Sequence, residues 1–232
     1  MENKNYLIVG GSYGIGLEIV KNLAVQNANV YVLARTNENL PSYANIFFQE
    51  HDVLGDEKID LPDELHGVVY CPGSINLKPF RSLKPDAFRS DFELNVIGAV
   101  KVLQKVQRLL QKTKNSSVVL LSTVAVAQGM PYHASVAASK GAIEGLTKTL
   151  AAEWAPKVRV NCVAPSLTDT PLAARLLSSD ERRDASAQRH PLKRIGTVSD
   201  ISEAICFLLS EKSGWISGQI LGVDGGISSI KI

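Results

Sequence analysis

Cysteine is scarce in this 232-residue chain: Cys71, Cys162 and Cys206 lie far apart in apolar surroundings, with no Cys-x-x-Cys and no histidine at ligand spacing. That excludes a disulfide scaffold and points to reduced, buried thiols rather than a metal site. An excess of one charge is also missing. Lys and Arg number 25 against 23 Asp and Glu, a net charge of +2. Nucleic acid and membrane surfaces are therefore not expected as partners, because proteins that bind them concentrate basic charge. The one basic cluster, 180–194, alternates signs and reads as a solvated helix face. No apolar run is long enough to span a bilayer, and the N-terminal residues show no apolar signal-peptide core, so a cytoplasmic location is expected. Aromatic residues make up only 6%, but apolar residues reach 45%, which suffices for one large core.

Short apolar runs alternate with amphipathic stretches. Residues 6–10, 29–34, 45–50, 67–70, 117–122, 158–164 and 219–224 are rich in Val, Leu and Ile without polar alternation. That pattern belongs to parallel strands covered on both faces. Residues 15–26, 86–111, 134–155 and 199–210 have helical spacing. The expected fold is α/β: one doubly wound domain over 1–232, with a seven-stranded parallel sheet and helices on both faces. The stretch 51–66 has room for a minimal helix at most. Residues 166–198 form the longest departure from the alternation and fall beyond a strand's carboxyl end, where such sheets bind ligands, so they are read as a substrate lid.

Gly10, Gly14 and Gly16 follow the first strand directly and open the first helix. Glycine permits a sharp turn there and lets backbone N–H groups approach a pyrophosphate, which the helix N-terminus favours. Ser12, Tyr13 and Ile15 complete this loop as candidate cofactor contacts. About 20 residues on, the second strand ends at Arg35, with no Asp or Glu between the end of the first helix and Thr36. An acid would bind a ribose 2′-hydroxyl and repel a 2′-phosphate, and an arginine does the reverse. NADP(H) is thus the preferred cofactor, with NAD(H) as the alternative. Asp52 and Val53, read as ending the third strand, fall where the adenine ring would lie, or Asp52 caps the next turn.

With these residues the chain resembles the short-chain dehydrogenase/reductase family over essentially its whole length. The family's glycine pattern is kept, with Val9 in place of its threonine. Its Asn-Asn-Ala-Gly appears as Tyr70-Cys71-Pro72-Gly73, and its Pro-Gly-x-x-x-Thr as Pro165-Ser166-Leu167-Thr168-Asp169-Thr170. Asn95, Asn161 and the closing Val223-Asp224-Gly225-Gly226 also fit. The resemblance implies a Rossmann-type fold and cofactor contacts at Gly73, Lys140, Pro165, Thr168 and Thr170. It also implies that Asn95 holds a water leading to the catalytic lysine; capping of a local helix bend is the other reading of this residue.

The resemblance further implies a serine, tyrosine and lysine that reduce ketones. The lysine, Lys140, lowers the tyrosine pKa and binds the nicotinamide ribose. The serine position holds Thr123, which keeps a hydroxyl, with Ser122 beside it. The tyrosine position, four residues before the lysine, holds Val136. Valine has no proton to give. Either the acid has moved to Tyr132 or His133, one turn earlier, or it is lost. The two readings are a reductase of a small carbonyl or enone with an unusual proton donor, and a catalytically silent NADP(H)-binding sensor or partner protein. Ala137, Ala138, Gly141, Ala142 and Gly145 put small side chains at helical spacing. In the family this helix forms a dimer interface, so a homodimer or homotetramer is expected.

Overall fold

The computed structural model describes residues 1–231. Its strands are β1 (Asn5–Val9), β2 (Asn29–Ala34), β3 (Ile46–Glu50), β4 (Gly67–Tyr70), β5 (Ser116–Leu121), β6 (Val158–Pro165) and β7 (Ile220–Val223). They form one sheet in the order β3-β2-β1-β4-β5-β6-β7, with every neighbouring pair parallel. The order reverses between β1 and β4, which opens a crevice at the carboxyl ends of the strands.

Two apolar clusters sandwich the sheet. One joins Val9, Val68 and Leu120 to the helices α3 (Gly98–Lys112) and α5 (Ala134–Trp154). The other joins Ile8, Val32 and Val119 to α1 (Gly14–Ala24) and α7 (Val198–Leu209). β4 and β5 are buried along their whole length, which is why their sequences lack polar alternation. The seven strands thus follow the sequence reading to within a residue or two at each end. No helix among the described residues is long and apolar enough to cross a membrane.

Three details differ from the reading. The expected single helix over 86–111 is split into α2 (Pro85–Phe92), a wide π-turn at Glu93–Ile97, and α3. The extra residue held in that turn advances the helix face. Asp91 is fully buried, as is Asn95 four residues on, while Phe92 is 42% exposed. Asp52 and Val53 lie past the end of β3, not within it. Residues 125–128 add a short helix, α4, that the sequence pattern did not suggest.

The lid region carries α6 (Asp180–Arg189). Its two ends are pinned together by a parallel bridge between Thr168 and Gly196. Asp169 N–H donates to Gly196 O at 2.8 Å, and Gly196 N–H to Leu167 O at 3.0 Å.

Candidate active site

A cavity of about 960 Å³ opens at the carboxyl ends of the central strands. Its floor is the β1–α1 loop. Gly10 and Gly14 hold positive φ angles of 75° and 52°, which glycine adopts without strain. A side chain on Gly16 would run into the carbonyl oxygen of Gly10, so the loop closes on itself only with glycine there. These three glycines, Tyr13 and Ile15 border the cavity, with the N-terminus of α1 beneath them. Ser12 is buried behind the loop.

The far walls come from β4, β5, β6 and α5. Gly73, Thr123, Pro165, Thr168 and Thr170 border the cavity, as do Tyr132, His133, Val136 and Lys140. None of its lining residues, among those described, is aspartate or glutamate; the ionisable ones are Lys140, Arg189, Tyr13, Tyr132, Cys71 and two histidines. A polyanionic cofactor fits such a lining, with a helix N-terminus at one end and no carboxylate to repel it.

Lys140 is 7% exposed and its Nζ donates to the Leu121 carbonyl at 2.9 Å. Burial lowers its pKa to about 8, against the opposing pull of Cys162, Cys71 and Asp91. Burial also raises both thiols to about 12, so they stay neutral. Val136, one turn before the lysine, is 6% exposed. Ser122 and Thr123 both border the cavity; the Ser122 hydroxyl is engaged, donating to Glu144 Oε1 at 2.6 Å, while Thr123 Oγ1 accepts the Ala125 N–H at 3.3 Å.

Tyr132 is 58% exposed and has a φ of 72°. His133 stands at the N-cap position of α5 with its Nδ1 2.8 Å from the Pro131 carbonyl. A carbonyl only accepts, so Nδ1 carries the proton in this contact.

Besides Ser12, four of the candidate residues lie outside the cavity lining. Arg35 is exposed directly after β2. Asp52 is exposed and accepts the Leu54 N–H at 3.0 Å, the turn cap that was one of its two readings, while the Val53 side chain is buried in the core. Asn95 sits in the π-turn behind Gly73. Its amide group donates to the Asp91 carbonyl at 2.7 Å, which is how it supports the bend. Its Oδ1 and Lys140 Nζ flank the same point, 3.3 and 3.4 Å from where a side chain on Gly73 would begin.

Two arrangements had no sequence signal. His190, 2% exposed, holds Ser166 Oγ at 2.8 Å through Nε2 and the Ser186 carbonyl at 2.8 Å through Nδ1. This pair borders the cavity and ties the end of α6 to the end of β6. The other is the buried carboxylate of Asp91, which accepts from Ser74 Oγ at 2.6 Å and Asn76 Nδ2 at 2.7 Å.

A glycine loop at a helix N-terminus and a buried lysine border one crevice, and a direct match joins them. The family model described as Enoyl-(Acyl carrier protein) reductase covers residues 10–228. The chain belongs to the short-chain dehydrogenase/reductase family. It is thereby an oxidoreductase of an NAD(P)-dependent class. L-xylulose reductase from Bos taurus is 31% identical over 240 residues, covering 97% of each chain. A 3-oxoacyl-[acyl-carrier-protein] reductase from Thermotoga maritima is 29% identical, covering 98% of each. Among solved structures, ElxO with NADP bound superposes with a TM-score of 0.89 at 28% identity, covering 98% of this chain and all of that one. Ligand-free aldohexose dehydrogenase from Thermoplasma acidophilum has the same fold, with a TM-score of 0.89 at 24% identity.

Proposed function

We propose that this short-chain dehydrogenase/reductase uses NADP(H) to interconvert a small carbonyl or enone compound and its reduced form, with His133 in place of the tyrosine acid. The observation that carries the reading is the single cavity shared by the glycine loop, Lys140, Thr123, His133 and the lid.

NADPH, when bound, supplies the hydride. The α1 N-terminus and its glycines would hold the pyrophosphate, and Lys140 the nicotinamide ribose. Arg35, exposed after a strand end that carries no acid, would face the 2′-phosphate. The NADP held by the neighbour ElxO supports this choice of cofactor. Thr123 would orient the substrate oxygen by hydrogen bonding. The oxygen then takes a proton through the His133 imidazole, and solvent resupplies it. Tyr132, the other candidate, is more than half exposed and lacks a fixed partner for its hydroxyl among the described residues. Val136 contributes an apolar wall and no proton. Lys140 keeps the ribose in place, and positioning of this kind is worth more in rate than a general acid, which contributes about 10²–10⁴-fold.

The small-residue face of α5 supports a homodimer or homotetramer. Ala138 and Gly145 are exposed, and a side chain on Gly145 would meet nothing within 4 Å.

The deciding experiment follows NADPH oxidation across ketones, aldehydes and enones, alongside NADPH binding by thermal shift. Turnover that is lost in Lys140→Ala supports the reading. Tight NADPH binding with no turnover on any compound replaces it with a silent NADP(H)-binding protein.

A further inference from the structure

Lys140 is a cation in an expensive place. It is almost wholly buried, and one of its three protons is spent on the Leu121 carbonyl. A buried charge needs an opposite charge close by or it gives up its proton. In the resembling enzymes the lysine lowers the pKa of the tyrosine, and the coupling is mutual: the tyrosine oxygen stabilises the ammonium in return. Val136 removes that partner.

The groups around Lys140 come from four elements. Cys71 follows β4 and Cys162 lies in β6, and both are neutral thiols. Glu144, one turn on in α5, is engaged by the Ser122 hydroxyl, and His133 lies two turns earlier. Asp91, from α2, is a carboxylate whose charge favours the ammonium of Lys140, the smallest of the influences opposing its burial. It is fully buried. Its Oδ1 takes hydrogen bonds from Ser74 and Asn76, and its Oδ2 has no partner among the described residues. Asn95 links the two sites. Its amide nitrogen donates to the Asp91 carbonyl at 2.7 Å and lies 3.3 Å from Ser74 Oγ, while its Oδ1, also without a partner among the described residues, lies at the Gly73 face shared with Lys140. Asp91 and Asn95, four residues apart, face the same buried side.

We infer that Asp91 is the counter-ion of Lys140, a positioning residue that keeps the lysine in its ammonium form where the tyrosine has been replaced by Val136. The pair deepens the reductase reading above, since the ammonium is what would hold the ribose. Ser74 and Asn76 fix the carboxylate, and Asn95 fills the space between it and the lysine with a polar group instead of a methyl.

The test uses the full chain with ¹³Cε-labelled lysine and follows the Lys140 signal by NMR as pH is raised, assigned through its loss in Lys140→Met. Asp91→Asn keeps an oxygen for Ser74 and Asn76 and removes only the charge. The expected midpoint for the unmodified chain is near 8. In Asp91→Asn it falls by at least about one pH unit, a tenfold change in the ammonium-to-amine ratio. A midpoint that does not move overturns the pairing. Should Asp91→Asn fail to fold, the double variant Asp91→Asn/Lys140→Met decides. Recovery of cooperative unfolding supports the pair, and continued failure to fold overturns it. Neither measurement involves cofactor or substrate. A chain that turns over nothing can still pass, and an active reductase can still fail.

Discussion

Val136 stands one turn before Lys140 on α5, and the two side chains border the same cavity. A hydroxyl at Val136 would therefore enter the cavity beside the ammonium. Val136→Tyr is expected to raise the reduction of simple ketones. In the unmodified chain, His133→Ala should lower kcat by about 10²-fold, the smaller end of a general acid's contribution, while Tyr132→Phe leaves it nearly unchanged. Steady-state rates of the three variants check this. A larger loss in Tyr132→Phe than in His133→Ala would reassign the proton donor.

Arg35→Asp should weaken NADPH far more than NADH, because it replaces a phosphate partner with a group that repels phosphate and accepts from a hydroxyl. Paired dissociation constants for the two cofactors measure the difference. Equal losses would count against a 2′-phosphate contact.

Gly16→Ala places a methyl against the carbonyl oxygen of Gly10. The strand-to-helix loop must open to admit it. The expected cost is about 1–3 kcal/mol of stability, as for other overpacked sites, together with loss of cofactor binding. Chemical denaturation and thermal shift with NADPH report the two effects separately.

The Lys140 titration also predicts a sign for stability. Its pKa falls from 10.5 in the unfolded chain to about 8 in the fold. Between these values the unfolded state binds the extra proton, so this group adds stability as pH rises from about 8 to 10.5. The penalty is fully present below about 8. Lys140→Met should remove that slope, read as the difference between the two unfolding-versus-pH curves. Parallel curves would contradict the burial of a charged lysine.

Ala138→Glu puts a charge on the exposed small-residue face of α5. The oligomer is expected to dissociate, as followed by light scattering. A monomer before substitution would rule this face out as an interface.

The sheet was legible because continuous apolar strands and amphipathic helices carry different periods, and their alternation leaves few topologies. Gly10, Gly14 and Gly16 were legible because a loop that closes so tightly admits nothing larger. The site was only partly so. Asn95 carried two readings, a polar link toward the lysine and a cap on a bend, and its side chain does support the bend. Asp91 was hidden, because the partners that hold its carboxylate, Ser74 and Asn76, come from a loop with no helical or strand period. Ser166 and His190 lie 24 residues apart, and only the return of the lid to the sheet brings them together. Ser122 and Thr123 could not be ranked from sequence, since Glu144, which engages the Ser122 hydroxyl, is supplied by the next helix.

The bridge between Thr168 and Gly196 closes the lid's two ends onto each other at the rim of the crevice. Whatever lies between them leaves and re-enters the domain at nearly one point, and the glycine loop, Lys140 and the strand ends lie outside it. Residues 172–195 are therefore freer to vary than the rest of the rim, whereas Thr170 and Pro171 pack against Gly14 of the glycine loop. Lengthening a closed loop costs only about 0.6 kcal/mol per doubling, so the segment can be rebuilt or swapped for another at little expense to the fold. Changes there would reshape the wall of the cavity formed by Leu172, Leu176, Arg189 and His190 while leaving the glycine loop and Lys140 in place.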